Sequence, residues 1–500
     1  MNEKKPNRQS DARRFDRKKP AGSQRDSRNS PRYANGPKPA GRRNAAPQRA
    51  KTTAEPEGIA SRRAALTVVR EVTEKGRWAS MSLNEVLTKS GLNMQDRHLA
   101  TRLAYDTIGN LTRLDWALNQ LIAKPDTDIR LRNVLRLGAC QLLLEDGISE
   151  YAACNTSAYL CKEIGLEGLA GVCNGILRNL IRKKDELKWP DPGTEPLLAR
   201  SVRFSVPEWL VKRLDDDWGT DSADALLAGN FQESVTVRPN LLRLTDEQFE
   251  ALLNRKAWKW GKGRLPHAYY IRGMADLGSD ADFQRGYFSI QGEGSMMACY
   301  AMDVKLGMQV LDLCAAPGGK SCFLSELMQD TGRIQAWDVH PHRKELIAAQ
   351  AERLKLENIR PMARDASEFR EDYVNTKDAI LLDAPCTGLG NLGDKPDLKL
   401  RLKEEELNSL LELQAKILDT CAPYLKKGGT LVYSTCSVLK EENEQQVRSF
   451  LERHPEFELI PLPETIPADL RGKEEIGLQL LPHRDGMSGF YLARMRRKRK

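Results

Sequence analysis

The sequence predicts an α/β protein. A doubly wound parallel sheet over residues 286–495 is expected behind an all-α domain over 58–188 and a small α+β connecting region over 194–285. Three observations carry this expectation. From Ile59 to about Leu187 apolar residues recur at spacings of three and four, with few strand signals between them. After Phe283 short apolar runs alternate with helical patterns, which is how βαβ units read. Between the two lies Lys188-Trp-Pro-Asp-Pro-Gly193, whose Pro and Gly mark a linker. A chain of 500 residues, 40% of them hydrophobic, has room for about three domains.

The elements follow in order. Residues 1–57 are rich in Arg, Lys, Asn, Gly, Pro and Ser and nearly free of branched aliphatics, so a disordered basic tail is expected. A mitochondrial transit peptide fits less well, because Asp11, Asp16 and Asp26 interrupt the stretch. In the helical region Ala65, Val69 and Val72 share a face. So do Leu111, Leu114, Ala117, Leu118 and Leu121, and then Val134, Leu135, Gly138, Gln141 and Leu142. Residues 200–285 mix helix and strand signals, with one strand in Glu233–Asn240. Beyond them, strands are predicted at Val310–Cys314, Arg333–Asp338, Ile359–Arg364, Asp378–Asp383 and Thr430–Ser434. Helical spacing falls between them, at Phe323, Leu324, Leu327 and Met328, and again at Leu346, Ile347, Gln350 and Leu354. A long helix over about 402–425 carries Leu407, Leu411, Leu418 and Cys421 on one face, with Gly428-Gly429 closing it.

The net charge of +9 is unevenly spread. Residues 1–51 hold 16 Lys and Arg against 4 Asp and Glu, and Arg494-Met-Arg-Arg-Lys-Arg-Lys500 is read as a second basic tail, 496–500 lying beyond the last domain. The body between is acidic. Such tails are solvated in any case. They also suit a polyanion partner, most simply RNA, held by counterion release. No apolar run approaches the ~18–20 residues of a membrane span. The first 50 residues lack an apolar signal region. Ten cysteines in so long a chain suggest a reducing cytoplasm rather than a disulfide scaffold.

Chemistry-bearing motifs fall at predicted strand ends, where open α/β sheets bind ligands. Asp312-Leu-Cys-Ala-Ala-Pro-Gly-Gly-Lys320 ends a strand and opens a helix, with small residues that let backbone approach a ligand. It matches neither the dinucleotide fingerprint nor the phosphate-binding loop, since no Gly lies five residues before Gly319. Asp338 ends the next strand, where an acid suits ribose hydroxyls. Together these fit a nucleoside without a pyrophosphate, and S-adenosylmethionine is the economical candidate. Asp383-Ala-Pro-Cys-Thr-Gly388 and Ser434-Thr-Cys-Ser437 follow two neighbouring strands, which brings Cys386 and Cys436 together near Asp383. The other eight cysteines read as small buried hydrophobes. Zinc is possible in principle, but there is no CxxC and no His at ligand spacing, so no metal is expected. Two thiols and an acid suit alkylation at a pyrimidine C5. A thiolate adds to C6 and makes C5 nucleophilic, an acid at N3 stabilises the adduct, and a base removes the C5 proton.

Residues 312–320, 383–388 with Pro396-Asp-Leu-Lys399, and Tyr433–Ser437 with Glu441-Glu-Asn443 resemble the RNA cytosine-C5 methyltransferases of the RsmB/Sun family. Asp485-Gly-Met-Ser-Gly-Phe-Tyr491 resembles its closing strand. Leu135–Leu143, Ala153–Asn155 and Val172–Arg178 resemble the RNA-binding factor NusB. The resemblance implies a Rossmann-like methyltransferase domain behind a NusB-like one, acting on 16S rRNA in the cytoplasm. It implies that Cys436 is the nucleophile, that Cys386 assists release, and that Asp383 touches base and cofactor amine. Cys314, Ala315, Ala316, Pro317, Gly318, Gly319 and Lys320 would hold the methionine part, Asp338 the ribose and Asp365 the adenine edge. Two departures stand out. Gln291-Gly-Glu-Gly-Ser295 replaces the family's Gln-Asp, and only Lys395 remains of the basic residues usual before Pro-Asp. A tRNA methyltransferase on the same scaffold, and a non-catalytic RNA-binding assembly factor, stay open as alternatives.

Overall fold

A computed structural model describes residues 55–499 except 125, 230–233, 274–277 and 473–474. The tail expected at 1–57 lies outside the described residues as far as residue 54.

The N-terminal region is the predicted bundle: α1 (Ile59–Lys75), α2 (Ala79–Ser90), α3 (Met94–Gly109), α4 (Leu111–Asn119), α5 (Ile129–Leu143), α6 (Glu150–Glu163) and α7 (Ala170–Lys183). Ala65, Val69 and Val72, Leu114 and Ala117, and Val134 and Leu135 fill one core, as their spacing requires. Gln141 is buried there because Arg62 Nε donates to its Oε1 at 2.6 Å, which offsets the cost of taking an amide out of water.

The connecting region begins with α8 (Pro196–Phe204), α9 (Glu208–Trp218) and α10 (Thr220–Ala228). Then come β1 (Val235–Pro239), α11 (Asp246–Asn254), β2 (Lys259–Lys262), β3 (Tyr269–Arg272), α12 (Ala281–Gln284) and β4 (Phe288–Ile290). The strands form an antiparallel sheet in the order β2-β3-β1-β4. Arg238 on β1 is fully buried, pairs with Glu326 at 2.6 Å, donates to Gln291 Oε1 at 2.7 Å, and lies over the Phe323 ring.

The C-terminal region runs through α13 (Glu293–Ala301), β5 (Gln309–Asp312), α14 (Gly319–Leu327), β6 (Arg333–Asp338), α15 (Pro341–Leu354), β7 (Ile359–Ala363) and β8 (Lys377–Asp383). It continues with α16 (Glu404–Cys421), β9 (Leu425–Thr435), α17 (Glu444–Arg453), β10 (Phe457–Leu459), β11 (Leu478–Leu480), α18 (Pro482–Asp485) and β12 (Phe490–Arg497). Five strands, in the order β7-β6-β5-β8-β9, are parallel. Side chains alternate across them. Val310, Ile334, Ala379 and Val432 face Met296, Phe323 and Ile347 on one side. Leu311, Trp337, Ile380 and Tyr433 face Ile417, Leu418 and Phe450 on the other. Helices therefore cover both faces.

Three expectations need correction. The sheet is mixed, not wholly parallel, because β12 runs antiparallel to β9, and β10 and β11 pair with β12. Gly428-Gly429 does not close α16. Pro423 follows the helix end at Cys421, and the glycines lie inside β9, where Gly428 has φ 82° and the pairing with β8 shifts register. The C-terminal residues are not all tail. Arg494–Arg497 belong to β12, and Arg497 Nη1 donates to Leu425 O at 2.6 Å.

Candidate active site

Each predicted site residue lies at a carboxyl end of the parallel sheet. The order changes sides about β5, and such a switch point leaves a crevice. Asp312 ends β5 and Leu313–Gly318 make the turn into α14. Gly318 has φ 106°, and a Cβ there would stand 3.1 Å from Ile347 Cα, so only Gly fits this close approach of loop and helix. Ala315 N donates to Trp337 O at 2.8 Å, tying the loop to β6. Cys314 is half-buried, and burial pushes its thiol well up, so it is inert as a nucleophile. Asp312 is fully buried. One of its oxygens accepts from Ser321 Oγ at 2.6 Å and the other has no partner, and burial pushes its pKa up to about 7.

Asp338 ends β6 with its carboxylate buried. It accepts from His340 N at 3.1 Å and has Arg343 at 3.4 Å, which leaves lone pairs for a ligand. Asp365 follows β7 and accepts from Ser367 N at 2.8 Å. Both lie on the β6–β7 side of β5, whereas the thiols lie on the β8–β9 side.

The thiol side is set by register. Asp383 pairs with Ser434 across β8 and β9, and Ala384 N donates to Ser434 O at 2.8 Å. Three residues after Asp383 and two after Ser434, Cys386 Sγ and Cys436 Sγ stand 3.5 Å apart. Asp383 accepts from Ser434 Oγ at 2.7 Å and from Lys320 Nζ at 2.7 Å. Burial works against the Lys320 charge, but the Asp383 carboxylate outweighs it and its pKa rises. Asp383 thus joins the loop after β5 to the thiol pair, and its charge is felt at both sulfurs.

The two sulfurs titrate together. The hydrogen bond from Cys386 lowers the Cys436 pKa against the effect of burial, with Lys395 and Lys320 assisting. Cys386 is raised well above its ordinary value, first by holding that proton for Cys436 and then by burial, with Glu442 and Asp383 adding to it. The arrangement favours a thiolate on Cys436 beside a protonated Cys386, which is what a thiol nucleophile needs.

The Glu441-Glu-Asn443 motif, quoted for the resemblance but given no role, completes the site. Glu442 and Asn443, six and seven positions after Cys436, are buried and hydrogen-bonded to both thiol loops. The departure at Gln291–Ser295 is also explained. Gln291 accepts from Arg238, while Glu293 is buried and accepts from Arg264 N at 2.8 Å and Leu265 N at 2.9 Å. The segment holds the connecting region to the sheet domain. Lys395, the basic residue left before Pro-Asp, acts on Cys436.

The residues present fit S-adenosylmethionine. A Cβ on Gly319 would meet nothing within 4 Å, Asp338 keeps free lone pairs, and a buried Asp312 oxygen is unpartnered. Among the described residues no group of three His, Cys, Asp or Glu could hold a metal ion, and no helix is long and apolar enough to cross a membrane.

A Rossmann-like sheet with this loop at its switch point is that of an S-adenosylmethionine-dependent methyltransferase. Comparison with known proteins gives the particular family. Residues 299–496 match the model of 16S rRNA methyltransferase RsmB/F, 59–182 that of the NusB family, and 206–274 the ferredoxin-like domain of RsmF/B-like methyltransferases. A relative in Bacillus subtilis (strain 168), named probable ribosomal RNA small subunit methyltransferase B, is 34% identical over 439 residues, 87% of this chain and 98% of its own. The crystal structure of PH0851 superposes with a TM-score of 0.77 at 28% identity, over 89% of this chain and 99% of its own. That of NSun6 from Pyrococcus horikoshii with SFG has the same fold, with a TM-score of 0.53 at 21% identity, over 59% of this chain and 98% of its own. The chain belongs to the 16S rRNA methyltransferase RsmB/F family.

Proposed function

We propose that this protein methylates C5 of a cytosine in 16S rRNA, in the cytoplasm, through a covalent bond between Cys436 and C6. The observation that carries this reading is the pair of sulfurs 3.5 Å apart beside Asp383, on the thiol side of the cofactor crevice. S-adenosylmethionine supplies an electrophilic methyl group. The loop Cys314–Lys320 holds its methionine part, Asp338 its ribose, Asp365 the adenine edge, and Asp383 the amine.

Cys436 attacks C6 as thiolate, and the electron pair displaced from the C5–C6 double bond makes C5 nucleophilic. A proton at N3 stabilises the adduct; Asp383 would pass it there from Lys320, bonded to it at 2.7 Å, and take it back as the adduct collapses. After C5 has taken the methyl group a base removes the C5 proton, and Cys386 assists this release only once it has given its own thiol proton to water. The electrons of that bond reform C5–C6 and expel Cys436 as thiolate. Both cysteines are half-buried, so Cys436 stays reachable by the target base.

The test is methyl incorporation from labelled S-adenosylmethionine into unmodified 16S rRNA, with tRNA in parallel. Label at C5 of an rRNA cytosine is expected. Label in tRNA alone would make this a tRNA enzyme, and label in neither would leave an RNA-binding assembly factor.

A further inference from the structure

The residues that follow the two thiols, Thr387 after Cys386 and Ser437 after Cys436, share one carboxylate. Glu442 is fully buried. Its Oε1 accepts from Thr387 N at 2.8 Å and from Gln414 Nε2 at 3.1 Å. Its Oε2 accepts from Thr387 Oγ1 at 2.5 Å and from Ser437 Oγ. Gln414, on α16, also donates to Pro385 O at 2.9 Å, on the other side of Cys386. The backbone of Glu442 is fixed in turn, its carbonyl accepting from Tyr433 OH at 2.6 Å. Asn443 holds the second loop, accepting from Thr435 Oγ1 at 2.5 Å and donating to Ser437 O at 3.1 Å.

A buried carboxylate is costly unless each lone pair meets a donor. Here the donors come from α16 and from both thiol loops, on either side of the sulfurs. A general stabilising contact does not require that convergence.

We propose that Glu442 is a positioning residue that clamps the Cys386 and Cys436 loops together and thereby sets the distance between the two sulfurs. The inference rests on the cysteine roles proposed above for its catalytic consequence, but not for its geometry. Without the clamp the two loops keep only the Thr387 Oγ1–Ser437 Oγ contact at 3.2 Å and the bond from Gly390 N to Cys436 O at 2.9 Å, which hold the Cys386–Thr387 peptide less firmly. Cys386 then no longer supports the Cys436 thiolate or reaches the C5 proton. Loss of alignment by an ångström costs catalysis heavily.

The experiment compares Glu442→Ala and Glu442→Gln with wild type as full-length protein. The first readout needs no RNA. Diamide takes the two thiols to a disulfide, itself reduced to the hydrazine, and the rate of Cys386–Cys436 linkage is followed by peptide mass mapping. Glu442→Ala is expected to slow linkage on the order of tenfold. Glu442→Gln should restore part of it, because its amide oxygen still accepts from Thr387 N. Steady-state kcat should fall in parallel, with KM for rRNA unchanged. Unchanged linkage in both variants overturns the proposal, whatever the turnover. Slower linkage with wild-type kcat sustains the clamp and instead overturns the catalytic use of the pair. Should the Ala variant not fold, Glu442→Gln and Thr387→Val make the same comparison.

Discussion

Two half-buried thiols 3.5 Å apart titrate as a pair, and the hydrogen bond between them does most to lower Cys436 and raise Cys386. Asp383 opposes a thiolate on either sulfur, Lys395 and Lys320 favour one on Cys436, and Glu442 disfavours one on Cys386. The division of labour follows. Cys436→Ala removes the bond-forming atom and is expected to abolish turnover with S-adenosylmethionine affinity within about twofold, since the cofactor's groups lie elsewhere. Methylation by that variant would transfer the nucleophile to Cys386. Cys386→Ala is expected to trap an RNA adduct, seen as a slow band on a denaturing gel, and absence of the band would remove its release role. Asp312 gives a separate, pH-dependent prediction. Burial makes its folded-state pKa about 7, against about 3.9 unfolded. The folded chain therefore holds this proton more tightly, and stability from this group is full below about pH 4 and lost as pH rises towards 7. In Asp312→Asn that loss is absent. The Tm of the variant minus that of wild type should grow from pH 4 to 7 and then level. A flat difference would show Asp312 to be ionised at little cost.

At the scale of elements, the segment Pro396–Leu400 joins the thiol loops to the helical region. It meets helix ends with charges of the right sign. Asp397 is buried and accepts from Ala79 N at 3.0 Å, capping the N-terminus of α2, where Trp78 supplies no side-chain cap. Lys399 Nζ donates to Gly109 O at 3.3 Å and Phe204 O at 2.8 Å, the ends of α3 and α8. Arg401 donates to Gly76 O and Arg77 O beyond α1 and lies over the Trp78 ring. Each contact suits the helix dipole. Loss of the Asp397 cap should cost about 0.5–2 kcal/mol, read as a lower urea midpoint for Asp397→Ala, with the bundle melting ahead of the sheet domain in calorimetry. A single transition at the wild-type midpoint would mean that this segment does not couple the two. Nothing in the sequence announces such a contact, because Asp397 and Ala79 are 318 positions apart. Periodicity exposed what is local. The parallel strands show as apolar runs, and α1, α4 and α5 show as stripes. Resemblance marked a closing strand at Asp485–Tyr491, but strand direction leaves no period, so the antiparallel sense of β12 was not legible, and its Arg494–Arg497 read as tail. A Gly pair after a helical pattern reads as a cap, although Pro423 had already ended α16. Glu442 was visible as part of Glu441-Glu-Asn443, but its role was not, since the two loops it joins, at Thr387 and Ser437, are adjacent only in the fold.

For the molecule as a whole, the issue is where positive charge remains available to a polyanion. The strand β12 uses part of the C-terminal supply. Arg494 pairs with Asp303 at 3.2 Å, Arg496 with Glu458 at 2.6 Å, and Arg497 caps carbonyls at the start of β9. The body between the basic ends is acidic by composition, whereas residues 1–51 hold 16 cations against 4 anions. RNA affinity that is sequence-independent should therefore reside largely in residues 1–51. Each phosphate contact contributes a slope of about 0.7–0.9 to log K against log salt. Deleting residues 1–51 is expected to lower affinity for 16S rRNA and flatten that slope by several such increments. The methylated cytosine should stay the same, because the reacting groups and the crevice lie within residues 299–496. The measurement is a salt titration of rRNA binding by filter retention, full-length against truncated chain, with the product mapped in both. A slope unchanged by the deletion would assign the N-terminal charge to solubility, and a changed modification site would make it part of target selection.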